Sequence, residues 1–467
     1  MKKVAFHNLG CKVNSYELDG ISQMFQKCGY EIVNFAQKSD IYIINTCTVT
    51  NIADRKSRQM IHKAKAQNPD AVVVAVGCYV QTDLEGAIRD EAVDVAVGNN
   101  HKAELVSIVE EYLSRKEAGT LGLAANAGNV DVAECKTCGG TTVSDLTKPV
   151  PYENMSITSA GEHTRAFIKI QDGCNQFCSY CAIPLARGRV RSRSLQDILD
   201  EVRTLSENGY KEVVLTGIHL SSYGLTENYN SFAAKSQTNE ELLKVIEEVA
   251  RIDKITRIRL GSLEPRLLTE EFVERLSKID KLCPHFHLSL QSGCDEVLKR
   301  MNRHYSTKEF KEKVMLLRKY FTHPAITTDV IAGFPGETDE EAGQTSEYLE
   351  DINLYECHIF KYSRRTGTVA DKLPGQLTDK IKQERSKALI EASNKRKQAF
   401  MEYYVGKEVT ILVEDEEFIN GKKYYTGLTP EYVKCVILQD ATAPLISGSE
   451  IRCIITKVGK DVAYAVP

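Results

Sequence analysis

Unbroken apolar runs alternate with amphipathic stretches over the first 115 residues. Residues 4–6, 41–44, 72–76 and 93–97 read as strands, and residues 14–28, 51–68, 84–90 and 103–115 read as helices. Continuous apolar strands separated by helices predict a parallel sheet covered on both faces. Residues 116–160 break the rhythm. Runs such as Gly119-Thr120-Leu121-Gly122 and Ala124-Ala125-Asn126-Ala127-Gly128 predict an interdomain linker or an exposed insertion. From about residue 164 the alternation returns, with strand-like segments at 167–170, 212–215, 257–260, 286–290, 325–331 and 356–360. Six such repeats predict an open partial barrel, short of the eight strands that close a TIM barrel. A charged helical connector follows. From Gly406 onward five short strands, at 409–413, 423–426, 433–438, 450–455 and 462–465, predict a small OB-like barrel. The expected fold class is thus α/β. It divides into a parallel-sheet domain (1–115), a linker (116–160), a (βα)6 partial barrel (161–378), a helical connector (379–404) and a small all-β barrel (405–467).

On this frame the cysteines fall into two triads. Cys11, Cys47 and Cys78 each follow one of the first three strands, so all three belong on the carboxyl edge of the sheet, where open parallel sheets bind ligands. Gly10 and Gly77 leave room for a bulky group beside the backbone. Cys174, Cys178 and Cys181 form a CxxxCxxC loop after the first barrel strand. Three thiolates hold three irons of a four-iron cube and leave the fourth open to a small molecule. A structural zinc loop would want four ligands, usually in CxxC pairs. The competing reading of the first triad is three unrelated buried thiols. Cys135 and Cys138 make a CxxC with no second pair nearby, so they read as a redox pair or as part of a non-essential insertion.

Composition adds less. Fourteen cysteines in 467 residues, with no apolar leader and no apolar stretch of membrane-spanning length, point to reduced thiols in the cytoplasm rather than disulfides. The net charge of −4 carries no nucleic-acid footprint of its own. Two local runs are candidates to meet phosphate: Arg187, Arg189, Arg191 and Arg193, and Asn394-Lys395-Arg396-Lys397. Internal salt bridges to Asp197, Asp200 and Glu201 are the alternative for the first run, and a solvated helix face for the second. Phe418, Tyr424, Tyr425 and Tyr432 are candidate base-stacking residues. Seven Lys/Arg against nine Asp/Glu from Gly406 onward argue against a strong electrostatic grip there.

A cysteine triad on an α/β domain, then CxxxCxxC with Tyr180 before its third cysteine, then a small C-terminal barrel: this order resembles the radical S-adenosylmethionine (SAM) methylthiotransferases, whose barrel is called TRAM. The resemblance spans nearly the whole chain except residues 116–160. Leu9-Gly10-Cys11-Lys12-Val13-Asn14 and the segment from Ala186 to Arg193 look most like the class that acts on N6-threonylcarbamoyladenosine of tRNA. Sister classes act on N6-isopentenyladenosine of tRNA or on an aspartate of a ribosomal protein. The resemblance implies two [4Fe–4S] clusters, an auxiliary one on Cys11, Cys47 and Cys78 and a radical-generating one on Cys174, Cys178 and Cys181. It also implies SAM contacts from Tyr180, Thr216, Gly217, Glu264, Ser289, Gln291, Asp329 and Gly333. The implied reaction places a methylthio group on C2 of the modified adenosine at position 37, using two SAM and an auxiliary-cluster sulfide. The implied partners are the tRNA anticodon loop and an electron donor such as a flavodoxin or ferredoxin, with no membrane. Two readings of another class compete: an iron–sulfur electron carrier, and a non-catalytic iron–sulfur RNA-binding protein.

Overall fold

The computed structural model describes residues 1–120, 140–161, 163–226, 238–419, 422–438 and 445–467. The Cys135/Cys138 pair lies outside them. The first sheet is wholly parallel and contains β1 (Lys3–Asn8), β2 (Glu31–Val33), β3 (Ile41–Thr46), β4 (Val72–Gly77), β5 (Val95–Val97) and β6 (Gly140–Thr142), in the order β2-β1-β3-β4-β5-β6. Every residue of β3 and β4 is buried, as unbroken apolar strands between two helical layers must be. Between them run α1 (Lys12–Lys27), α2 (Asn51–Gln67), α3 (Cys78–Thr82), α4 (Leu84–Arg89) and α5 (Leu105–Glu117).

β6 corrects the expectation of a bare linker, because it adds an edge strand beside β5 from within 116–160. The end of that stretch is also packed. Met155 and Ile157 enter the core beside α1, and the Tyr16 hydroxyl donates to the Met155 carbonyl. A Cβ on Gly20 would crowd the Met155 side chain, so α1 lies close to this strap.

The second unit contains β7 (Ala166–Asp172), β8 (Arg191–Ser192), β9 (Glu212–Gly217) and β10 (Arg257–Leu260), in the order β10-β9-β7-β8. β11 (His285–His287), β12 (Ala325–Ala332) and β13 (Glu356–Lys361) form a three-stranded sheet. Parallel bridges Ile258↔Leu282 and Leu263↔Leu288 join the two sheets. Six parallel strands thereby curve into the expected open barrel, with β8 as a short antiparallel flap. Alternation sorts the faces. Ile168, Val213, Leu215, Ile258, Phe286 and Val330 pack in the main core, while Lys169, Glu212, Thr216, Arg259, His287 and Asp329 take the opposite, inner face. Helices cover the outside. Ser194 caps the helix Leu195–Glu207, and Ser306 with Glu309 forms the expected capping box.

The helix Asp379–Glu402 packs against β13 and leads to the third unit. β14 (Glu408–Ile419), β15 (Lys422–Leu428), β16 (Lys434–Leu438), β17 (Glu450–Val458) and β18 (Ala463–Val466) close a barrel in the order β14-β15-β16-β18-β17. It docks under the amino ends of β9 and β10. The Arg257 guanidinium donates to the Leu428 carbonyl (2.8 Å) and the Thr410 carbonyl (3.0 Å) and pairs with Glu450 (2.6 Å). Among the described residues, no helix is long and apolar enough to cross a membrane.

Candidate cofactor and substrate site

The CxxxCxxC loop leaves the carboxyl end of β7 and is shaped by its neighbours. Gly173 takes φ +69°, and a Cβ there would run into the Arg189 carbonyl. Cys174 N–H donates to the Gly188 carbonyl (3.0 Å) and Cys181 N–H to the Cys178 carbonyl (3.0 Å). Ser179 N–H reaches the Met301 carbonyl (2.9 Å), and the Asn302 amide reaches the Phe177 carbonyl (2.9 Å). Arg303 donates from Nη1 to Cys178 Sγ (3.2 Å), from Nη2 to the Ser289 carbonyl (3.1 Å) and from Nε to the Tyr305 hydroxyl (2.9 Å). It is therefore the cation facing this triad, and it was not foreseen. Tyr180 is half-buried against Cys294, Val297, Met301 and Phe334.

The first triad sits on the carboxyl edge of the parallel sheet as expected. Cys11 follows β1, Cys47 follows β3, and Cys78 opens α3 directly after β4. The strand order turns back between β1 and β3, so Cys11 and Cys47 flank a topological switch point. A Cβ on Gly10 would press on Cys47 (3.2 Å), so Gly10 lets those two loops touch. Asn14 holds them together: its Nδ2 donates to the Leu9 carbonyl (2.7 Å) and the Thr46 carbonyl (3.0 Å). Asn99 Nδ2 donates to Cys78 Sγ (3.4 Å). On the far side Arg365 ties the same region to the end of the barrel through Thr48 (2.5 Å), Asn51 (2.7 Å) and Asp54 (2.6 Å).

The arginine run is not a surface patch. Arg187, on the helix α6 (Ile183–Arg187), is buried with Glu17, Asp172 and Asn14. Arg191 bonds the Arg187 carbonyl (2.9 Å) and pairs with Asp172 (3.4 Å). Arg193 pairs with Glu201. Of the three acids anticipated as partners for the run, only Glu201 takes part in this way. These three guanidinium groups are internal because buried carboxylates from other segments claim them, so RNA has no access to them. Arg189 alone is exposed, lying over the Phe177 ring at 4.6 Å. In the small barrel Tyr425 is also closed to RNA, because it is a core residue. Tyr432 is half-buried, stacked on His285 at 4.6 Å with Arg259 over its ring. Tyr424 is half-buried at the edge of Tyr464, and Phe418 is exposed. In the second basic run, Lys397 pairs with Glu356 of β13 (2.9 Å).

The SAM candidates collect at the carboxyl rim. Thr216 and Gly217 end β9, Glu264 follows β10, Ser289 and Gln291 follow β11, and Gly333 follows β12. Asp329 sits deeper, within β12, with its carboxylate 3.4 Å from His287 Nε2, and the His287 ring stacks on His358 at 5.7 Å. Gln171, not anticipated, braces the rim. Its Nε2 donates to the Asp172 and Gly173 carbonyls (2.7 Å each), and its Oε1 accepts from His219 N–H (2.7 Å). Gly217 and Gly333 have packing reasons to be glycine, since a Cβ would strike Gln171 and Lys382 respectively.

Residues 168–349 match the Radical SAM superfamily, and residues 3–98 match the family described as Uncharacterized protein family UPF0004. A threonylcarbamoyladenosine tRNA methylthiotransferase, MtaB, of Bacillus subtilis is 37% identical over 98% of this chain and 95% of its own length. An MtaB of Aquifex aeolicus is 39% identical over 90% of this chain and 95% of its own. A tRNA-2-methylthio-N(6)-dimethylallyladenosine synthase of Acetivibrio thermocellus is 32% identical over 92% of this chain and 84% of its own.

The chain belongs to the radical SAM methylthiotransferase family.

Among solved structures, the radical SAM methyltransferase TsrM of Kitasatospora setae shares the fold, with a TM-score of 0.53 at 17% identity over 79% of this chain and 77% of that one. SAM and [4Fe–4S] clusters are the cofactors of a radical SAM methylthiotransferase, and both triads fit a cluster. Burial first, and then Cys178 and Cys181, push the Cys174 thiol up. Burial likewise takes Cys181 up to about 12 and Cys47 up to about 11. Gathered thiols that resist ionisation when bare are what a cationic iron core converts to thiolates. Among the described residues, no three His, Cys, Asp or Glu side chains converge tightly enough for a single ion. A cube presents its irons at separate corners, so its ligands stand further apart.

One inner-face feature bears on the substrate. Burial pushes the ammonium of Lys12, next to Cys11, down, and the charges of Tyr432, Arg165, Arg259 and Glu212 act on it. Arg165 and Arg259 are taken up by Glu414 and Glu212, whereas Lys12 has no ion-pair partner among the described residues.

Proposed function

We propose that this enzyme transfers a methylthio group to C2 of N6-threonylcarbamoyladenosine in the tRNA anticodon loop, in the cytoplasm, with electrons from a flavodoxin- or ferredoxin-type donor. What supports the reading is that the loops of two cysteine triads are tied to one short helix, each with three thiols and so room for one open iron. Cys174, Cys178 and Cys181 would hold the SAM-binding cluster, and Cys11, Cys47 and Cys78 the auxiliary one. When bound, the clusters and SAM supply a carbon radical strong enough to take a hydrogen from an unactivated ring carbon, and the sulfur that replaces it. The chain's own residues orient and seclude. We assign SAM to the rim formed by Thr216, Gly217, Glu264, Ser289, Gln291 and Gly333. Gln171 and Arg303 hold that rim against the cysteine loop.

The substrate assignment rests on near full-length relatives named for threonylcarbamoyladenosine and on Lys12. The threonyl group carries a carboxylate and the isopentenyl group carries none, so a cation without an ion-pair partner on the residue after Cys11 favours the first. Lys12→Gln should lower kcat/KM on threonylcarbamoyladenosine tRNA about 10- to 100-fold, the worth of a hydrogen bond to a charged group. A loss below about threefold would remove Lys12 from substrate contact.

The test is anaerobic reconstitution with iron and sulfide, then reaction with SAM, dithionite and tRNA carrying threonylcarbamoyladenosine. Mass spectrometry of digested nucleosides should find a methylthio product at that adenosine. Thiolation of isopentenyladenosine tRNA alone would overturn the substrate. Cys174→Ala should stop 5′-deoxyadenosine formation, whereas Cys47→Ala should stop sulfur insertion while SAM cleavage continues.

A further inference from the structure

The five-residue helix α6 begins two residues after Cys181, and the loops of both triads are tied to it. Asn99 Nδ2, which donates to Cys78 Sγ, also donates to the Ala186 carbonyl (2.7 Å). Arg187 Nη2 donates to Asn14 Oδ1 (2.7 Å), and the other end of that amide clamps the backbone beside Cys11 and Cys47. Arg187 Nη1 donates to Glu17 (2.6 Å) and Asp172 (3.2 Å). Asp172 Oδ1 in turn accepts from Gly173 N–H (2.8 Å), directly before Cys174. Gly188, the residue after Arg187, accepts from Cys174 N–H. A single guanidinium therefore joins the loops of Cys11, Cys47 and Cys174, and its helix neighbour joins the loop of Cys78. The planar fork of arginine suits this role, since it engages three partners at fixed angles. Arg187 is 1% exposed, so it is unavailable to RNA, and its charge is felt at both Cys78 and Cys11.

We propose that Arg187 is the positioning residue that couples the two cluster sites, holding the auxiliary triad in register with the radical triad so that each SAM cleavage leads to sulfur insertion. This rests on the methylthiotransferase reading above. Its role is distinct from ligation, because Arg187 touches no cysteine sulfur directly in the hydrogen-bond network.

The experiment compares Arg187→Lys and Arg187→Met with the parent, each reconstituted with both clusters. Arg187→Met leaves Glu17 and Asp172 a cation short. Where it does not fold, Glu17→Gln/Arg187→Met, which removes one charge of each sign, takes its place. Two quantities are read: the ratio of 5′-deoxyadenosine to methylthio product, and the reduction potential of the auxiliary cluster, followed by electron paramagnetic resonance without tRNA. The expected result is a ratio raised tenfold or more in the methionine variant, with the auxiliary potential shifted downward as a nearby cation is lost. Arg187→Lys should recover the potential but only part of the ratio, because it restores charge without the fork. A ratio within twofold of the parent and an unmoved potential would overturn the proposal. So would loss of the auxiliary cluster from every variant, which would make Arg187 a folding residue only. A parent enzyme that cleaves SAM but thiolates no threonylcarbamoyladenosine sinks the substrate assignment instead, and leaves the potential measurement standing.

Discussion

Single residues decide whether this site exists, and they act through geometry that a side chain cannot evade. Gly173→Ala would place a Cβ in the Arg189 carbonyl at a positive φ. We expect it to cost about 1–3 kcal/mol of strain and to strip iron from the radical triad, read by iron content and a thermal melt. Asp19 on α1 makes a different kind of claim. Burial pushes its carboxyl up to about 7, and its Oδ2 has no partner among the described residues. A carboxyl raised in the fold stabilises least where it must ionise. The penalty grows as pH rises from the ordinary aspartate value near 4 and is complete above about 7. Asp19→Asn should therefore stabilise the protein by roughly 1–3 kcal/mol at pH 8, with the gain fading as pH is lowered toward about 4. Equal melting shifts at both pH values would contradict it. At this scale the sequence was legible only where spacing spoke. The CxxxCxxC triad announced itself, and Cys11, Cys47 and Cys78 did so by following strands. Arg187, Arg303 and Gln171 did not, because their meaning lies in partners far along the chain; Arg187 and Asn14 are 173 positions apart. Read as a local run, four arginines suggested a phosphate site, yet three of them neutralise buried carboxylates.

Elements were easier to read than contacts, because period and burial leave the same mark on a strand wherever it sits. All six parallel barrel strands and the five C-terminal strands appear where alternation put them. β2, β6 and β8 were missed: each is only two or three residues long, β6 within a Gly- and Thr-rich run, and each is held as an edge by its neighbour's backbone rather than by its own apolar content. Docking between elements is where buried donors matter most. Arg257 gives two hydrogen bonds to small-barrel carbonyls and an ion pair to Glu450. Arg257→Met leaves those carbonyls buried without donors, at about 1–3 kcal/mol each. It should loosen the small barrel, so that trypsin cuts faster at Lys407, after the connector helix; an unchanged cutting rate would show that Arg257 does not hold the barrel down.

At the scale of the whole molecule, two differently folded halves share one apolar core and a buried charge lattice beside it. Burial pushes the Glu17 carboxyl up, but Arg187, Lys102 and Lys169 together hold it well below the usual carboxylate range. Burial opposes Asp172 in the same way, and Lys169, Arg187 and Arg191 prevail. Such a lattice tolerates no missing member. Glu17→Gln should cost about 3–5 kcal/mol, seen as a lowered melting temperature of the cluster-loaded enzyme, because the buried Lys102 then loses its carboxylate while Lys169 and Arg187 are left to share Asp172 with Arg191. The lattice also imposes an order in time. Glu17 leaves the ribosome early, Lys102 follows within its own domain, and Lys169 and Arg187 emerge only 152 and 170 residues after it. At ordinary synthesis rates that is a delay of roughly 10–35 s. Through that interval the nascent N-terminal half carries three thiols on a sheet whose charges are not yet balanced, and iron delivered then would meet an unfinished cradle.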